Sequence, residues 1–218
     1  MLTRRGATLF EVVVTVAILA IIAGAVYLNE AQASKLGGAA ANVDKAALFL
    51  AEFADAAGRT TGTGGATSFN QDVGNANANV SANAGKLSQL TTKLLNTHLN
   101  SCMYQYTTSE ANRWIRPYFY RILPTTGFQI APGYFAQDSL IRYNQAGVAT
   151  TVANRPASND AFTYGTLAVV MPNTDLGDAV ALLNRVEGDQ NGLGAVRYYP
   201  TNGSSPVTLE YHFTIRGC

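Results

Sequence analysis

From Ala7 to Leu28 the chain runs for 22 residues with a single charge, Glu11. At 1.5 Å per residue a helix of that length spans about 33 Å, enough to cross the roughly 30 Å hydrocarbon core of a bilayer. Arg4 and Arg5 precede the run, and the positive-inside rule keeps such a leader in the cytoplasm and sends the far end of the helix outward. The segment therefore points to an exported or membrane-held protein. Two readings compete at once. A secretory signal peptide would use Ala31-Gln32-Ala33 as its small-residue cleavage site ahead of Ser34, but the apolar run is longer than the usual core of about 7–15 residues. A permanent anchor fits the length and leaves Glu11 without a purpose. A carboxylate inside an apolar helix is costly and is by default a functional group in need of a partner.

The series Gly6-Ala7-Thr8-Leu9-Phe10-Glu11, set behind the basic Met1–Gly6, resembles the class III leader of type IV pilins and pseudopilins. The resemblance implies that a prepilin peptidase cuts between Gly6 and Ala7 and that Ala7 becomes an N-methylated terminus. It implies that Glu11 pairs with the terminal amine of a neighbouring subunit. It further implies an inner-membrane precursor, a filament assembly machinery, and a helical homo-oligomer exposed on the cell surface. A major pilin, a minor pilin and a type II secretion pseudopilin all fit the family. The chemistry is coherent: cleavage creates a cation at the edge of an apolar bundle, and a buried charge left without its partner costs several kcal/mol. Two departures stand out: Ala follows Gly6, where Phe or Met is commoner in the family, and the first proline is Pro117. Gly24 and the pair Gly37-Gly38 are the weak points of the helix, each about 1 kcal/mol worse than Ala.

Past Leu28 the pattern becomes amphipathic. Leu36, Val43, Ala47, Leu50 and Ala54 recur at helical spacing, with Asp44, Lys45, Glu52 and Asp55 interleaved, and Gly58 stands where a helix ends. The expectation is one helix from Thr8 to Ala57, about 75 Å long. Residues 58–85 are all Gly, Ala, Asn, Ser or Thr apart from six positions. That composition buries too little to order itself and reads as a surface excursion. Lys86–Asn100 places Leu87, Leu90, Leu94 and Leu95 on one face and predicts a second, shorter helix.

From Cys102 onward, aromatic and β-branched runs predict strands at Met103–Thr107, Trp114–Leu123, Gly127–Ile130, Leu140–Tyr143, Ala161–Val170, Ala195–Tyr199 and Val207–Ile215. Pro117 limits the second of these to an edge or bulged strand. In the last, Thr208, Glu210 and His212 alternate with Leu209, Tyr211 and Phe213, the pattern of a half-buried antiparallel strand. Asp175 as N-cap predicts a helix over Asp175–Val186 with Leu182, Leu183 and Val186 inward. The predicted fold is α+β: a long N-terminal helix, hydrophobic and then amphipathic, packed on a C-terminal antiparallel β-sheet head. The pilin resemblance implies a similar head. The chain divides into a leader (1–6), a filament-core helix (7–28), its amphipathic continuation (29–57), a Gly/Asn-rich loop with a short helix (58–100) and a disulfide-bounded β-rich head (101–218).

Charged residues are only 13% of the chain and the net charge is +1, against a usual charged share of about 25%. No basic cluster exceeds Arg4-Arg5, so no nucleic-acid site is expected. Removing Met1–Gly6 leaves 13 cations against 14 acids. His98 and His212 lie outside every hydrolase, metalloprotease, P-loop and dinucleotide motif, so neither an enzyme nor a cofactor is expected. Cys102 and Cys218 bracket the β-rich region, and an even pair in an exported chain reads as a disulfide. The resemblance implies the same bridge, which would contribute at most about 4.7 kcal/mol. Glu187, Asp189 and Asn191 alternate ahead of Gly192 like part of a calcium loop. The full ligand series is missing, so a polar turn is expected there and no metal. Asn79-Val80-Ser81 and Asn202-Gly203-Ser204 are weak glycosylation signals. The expected function is structural, as a filament subunit. The reading from a different class is a secreted or membrane-anchored β-rich binding domain.

Overall fold

The computed structural model of the protein describes residues 37–58, 68–73, 83–156, 164–187 and 194–216. The chain divides into two units, Met1–Ala41 and Asn42–Cys218. Of the first, only 37–41 are described, and they are helical and exposed. The second unit carries the sheet and the core.

Helix α1 covers 37–57. Within the second unit its inward stripe is Val43, Ala46, Phe49, Leu50, Phe53, Ala54 and Ala57, all buried. The helix stops where the sequence predicts: Gly58 takes φ +107°, and its N–H reaches the carbonyls of Ala54 and Asp55 at 3.1 and 3.2 Å. A left-handed glycine satisfying the last carbonyls is a common helix ending. Phe49 and Phe53 anchor the helix to the rest of the head. Phe119 meets their rings at 4.9 and 6.1 Å, and Phe53 also meets Phe213 at 6.2 Å.

The main sheet has four strands in the order β3-β4-β6-β5, with β3 at Leu140–Tyr143, β4 at Tyr164–Thr174, β5 at Val196–Tyr199 and β6 at Val207–Arg216. Every pairing is antiparallel. A separate hairpin joins β1 (Phe128–Ala131) to β2 (Tyr134–Ala136). Helix α4 (Leu176–Glu187) connects β4 to β5, and the Asp175 carboxylate accepts from the Gly177 N–H at 2.8 Å as its cap. Ala179, Leu182 and Leu183 are its buried side, and Val186 is partly buried against the core. Four of the seven expected strands are therefore present, at β1, β3, β5 and β6, and β4 covers the described part of a fifth. The fold is α+β.

Three expectations are corrected. Lys86–Asn100 is not a helix: one 3-10 turn, Leu87–Leu90, is followed by turns and isolated bridges. Its polar side chains bond elsewhere. Ser88 donates through N–H and Oγ to Asp138, at 2.7 and 2.8 Å, while Gln89 accepts from the Gly85 N–H and donates to the Leu99 carbonyl. Such bonds compete with a helical ladder. Leu87, Leu90 and Leu94 are still buried.

Neither Met103–Thr107 nor Trp114–Leu123 is a strand. Met103 sits at φ +62°, off the extended region. In the second segment the Trp114 indole, the Tyr118 N–H and the Leu123 N–H donate to Gln89, Leu90 and Thr91 rather than to a ladder. A six-residue helix, α3 (Thr108–Arg113), lies between the two segments and is closed by a capping box of Thr107 and Glu110. The Gly/Asn-rich region also holds an unexpected anchor. Helix α2 (Phe69–Val73) buries Phe69 and Val73, and the Phe69 ring packs on Tyr118 at 5.4 Å and Tyr106 at 6.4 Å.

Candidate assembly motif and a buried polar cluster

Gly6, Ala7 and Glu11 lie outside the described residues, as do Asp189, Asn191 and Cys218. Cys102 is fully buried in a turn, its N–H donating to Asn100 Oδ1 at 2.9 Å, and it carries no free thiol. Glu187, the last residue of α4, turns its carboxylate onto the Val196 N–H and so ties the end of α4 to the start of β5. Among the described residues no group of His, Cys, Asp and Glu is arranged to hold a metal ion. His98 is a turn residue whose Nδ1 accepts from the Leu95 N–H at 3.3 Å.

The register of the sheet separates two faces. Leu140, Arg142, Leu167, Val169, Met171, Val196, Leu209, Tyr211 and Phe213 share the face that meets the core. Arg142 is 1% exposed on this face. Gly165 makes room for it, since a Cβ there would lie 3.0 Å from Arg142 Nη2 and 2.7 Å from the Tyr143 carbonyl.

The opposite face carries Tyr143, Ala168, Val170, Arg197, Glu210 and His212. Alternation in the sequence marks Glu210 and His212 as the outer side of β6, yet both are buried. The Tyr143 hydroxyl donates to both Glu210 oxygens, at 2.9 and 3.1 Å, and His212 Nε2 meets Glu210 Oε2 at 2.8 Å. The Tyr143 ring lies over the imidazole with centroids 5.1 Å apart. Burial alone pushes the Glu210 carboxyl up. The hydrogen bonds from His212 and Tyr143, with the charges of His212 and Arg197, outweigh it and leave its pKa below the ordinary value. Burial, then Glu210, raises the Tyr143 hydroxyl. A carboxylate held ionised beside a phenol that holds its proton is a structural lock. It is the reverse of the poise near neutral pH that proton transfer needs. A shallow hollow of about 250 Å³ opens beside it, lined by Asn144, Gln145, Thr166, Arg197 and Thr214. Sequence reasoning missed this cluster. Its one signal was a Glu and a His spaced two apart on the polar side of an alternating strand.

No helix among the described residues is long and apolar enough to cross a membrane, and the apolar run of residues 7–28 is not among them. No curated protein and no solved structure matches the chain. Residues 1–27 match the family model described as the prokaryotic N-terminal methylation motif, the class III prepilin leader.

Proposed function

We propose that this chain is a structural subunit of a type IV pilus-like extracellular filament. The observation that carries the proposal is the methylation motif over residues 1–27, with Glu11 as the one charge in its apolar run. On this reading a prepilin peptidase removes Met1–Gly6 in the inner membrane, Ala7 is methylated, and assembly machinery polymerises identical subunits through their N-terminal helices. Glu11 neutralises the Ala7 amine of a neighbour, which removes two charges from an apolar bundle at once.

The α+β head supports this by supplying a folded body on an amphipathic helix. We further propose a Cys102–Cys218 disulfide. Cys102 has no free thiol, and the chain has one other cysteine. Such a bond fastens Cys218 to the buried turn at 101–103. A minor pilin or a type II secretion pseudopilin would use the same leader and the same chemistry. Surface attachment, motility or uptake would follow from the finished filament.

Two measurements test the proposal together. Mass spectrometry of the protein from its native source should find a methylated terminus at Ala7. A terminus at Ser34 would mean that the helix is discarded and the head is a secreted binding domain. Glu11→Ala should abolish filaments while the precursor still accumulates in the membrane. Filaments at wild-type level from that variant would overturn the reading.

A further inference from the structure

The segment after α3 carries an uncommon surface. Phe119 and Leu123 are buried, but Ile115, Tyr120 and Ile122 are 70%, 76% and 81% exposed. Arg116 and Arg121 lie among them, both exposed. Arg116 reaches Asp72 at 3.5 Å with about half its side chain still in solvent. Arg121 stacks over the Phe128 ring at 5.8 Å and has no carboxylate within ion-pair distance among the described residues. Single exposed apolar residues are ordinary, but three large ones with two guanidinium groups in one short segment have the composition of an interface centre.

Helix α1 presents the opposite character. With its buried stripe turned to the core, Leu48 is 62% exposed, and Glu52 and Asp55 are exposed on the same side. Their spacing of four and three residues puts all three on one helical face. Phe119 packs on Phe49 and Phe53 along one flank of α1, and Arg185 of α4 holds Asp44 along another. Among the described residues, the face between those flanks bears one cation, Lys45.

We infer that these two surfaces are the two halves of a contact between successive copies of this chain, with the 115–122 segment of one head lying on Leu48, Glu52 and Asp55 of the next. The inference rests on the filament reading. Sign of charge is the first argument. A two-fold contact of the segment with itself would set Arg116 and Arg121 against their own copies, and like charges across an interface are strongly disfavoured. The segment must therefore meet a different surface. A contact between two different surfaces of the same chain repeats head to tail rather than closing as a two-fold dimer, and gives an open helical array wherever its rotation does not close a ring.

The second argument is which acidic surface also offers an apolar centre. Glu52 and Asp55 form the one exposed acidic pair among the described residues with a large exposed apolar side chain, Leu48, on the same helical face. Ile115, Tyr120 and Ile122 against Leu48 make a dry centre, and Arg116 and Arg121 against the carboxylates fix the register. The heads are then joined independently of the N-terminal helices.

The test uses the full chain in cells that assemble the filament. Arg116→Glu with Arg121→Glu, and separately Glu52→Arg with Asp55→Arg, should each lower the yield of sheared filaments about tenfold or more. The four substitutions together should restore most of it, because the complementarity is rebuilt with the signs exchanged. Protease resistance of the membrane-held head reports folding for each variant. A second readout pairs Glu52→Cys with Arg121→Cys, which should yield ladders of disulfide-linked subunits.

Charge-reversed chains that assemble at wild-type level would overturn the inference. So would a four-fold variant that gains nothing over either pair while its head stays protease-resistant. A cross-link to another protein, or a segment that binds anionic vesicles and not this chain, would do the same. The filament reading is judged separately by Glu11→Ala. If it fails, concentration-dependent cross-linking of the cysteine pair in the detergent-solubilised chain still decides whether the two surfaces meet.

Discussion

Phe53 is the point at which helix α1 is committed to the head. It is fully buried and touches Phe119 on the 114–123 segment and Phe213 on the central strand β6. Replacing it with Ala removes a large side chain from a site that two rings hold open. Such truncations cost about 3–5 kcal/mol, and edge-to-face aromatic pairs add about 0.5–1.5 kcal/mol each, partly counted in the first figure. A loss of about 4 kcal/mol is expected, a large share of a typical total of about 5–15 kcal/mol.

With a urea slope of about 2–3 kcal/mol/M, the midpoint should fall by about 1.3–2 M. The chain has one tryptophan, Trp114, whose indole donates to the Gln89 carbonyl at 3.0 Å within the head. Its fluorescence therefore follows unfolding of the head in the detergent-solubilised full chain. Leu48→Ala is the control on the outer face of the same helix. It should change stability by no more than about 0.5 kcal/mol, while lowering filament yield if that face meets a neighbour. A loss under about 1 kcal/mol for Phe53→Ala, or equal losses for the two variants, would refute the assignment of faces on α1.

Two further outcomes rest on local structure. Thr107→Ala removes the hydroxyl that accepts from the Glu110 N–H at 3.2 Å and donates to Glu110 Oε2 at 2.9 Å, leaving only the bond from the backbone N–H at 107 to that carboxylate. A loss of about 1 kcal/mol in urea unfolding is expected. Glu210→Gln tests the polar cluster through pH. The folded pKa of Glu210 lies below its ordinary value of 4.5, so the ionised carboxylate stabilises the fold above that pH and loses this contribution as pH falls through the folded value. The Gln variant should be less stable than wild type at neutral pH and flatter on the acid side. Parallel acid limbs would refute the lock.

The parts of the fold legible in the sequence were those decided by local chemistry. Gly58 and Asp175 mark helix ends because a left-handed glycine and a side-chain cap act within a few residues. The alternation in 207–215 made β6 readable for the same reason. Where longer-range bonds decide, the sequence misleads. The leucine spacing in 86–100 suits a helix, but Ser88 and Gln89 bond to Asp138 and Leu99 instead.

On α1 the sequence shows apolar residues at 46 through 50, and only the packed partner chooses Phe49 over Leu48 as inward. Burial of Glu210 and His212 likewise depends on Tyr143, which lies 67 residues before Glu210 in the chain. The proposed assembly motif is the converse case. Its residues are contiguous, so sequence alone carries Gly6, Ala7 and Glu11.

The strand order β3-β4-β6-β5 sets a schedule for making the molecule. Strand β6 is not an edge; it fills the gap between β4 and β5, and β5 has no other neighbour in the sheet. At about 5–20 residues per second, β4 waits roughly 2–8 s after synthesis before all of β6 exists. During that interval Leu167–Met171 presents an open apolar edge of the kind that invites aggregation. A chain that stops before β6 loses the middle of its sheet rather than a fringe. The head is therefore closed only once β6 has been made, and a product cut short of it lacks the strand that joins β4 to β5.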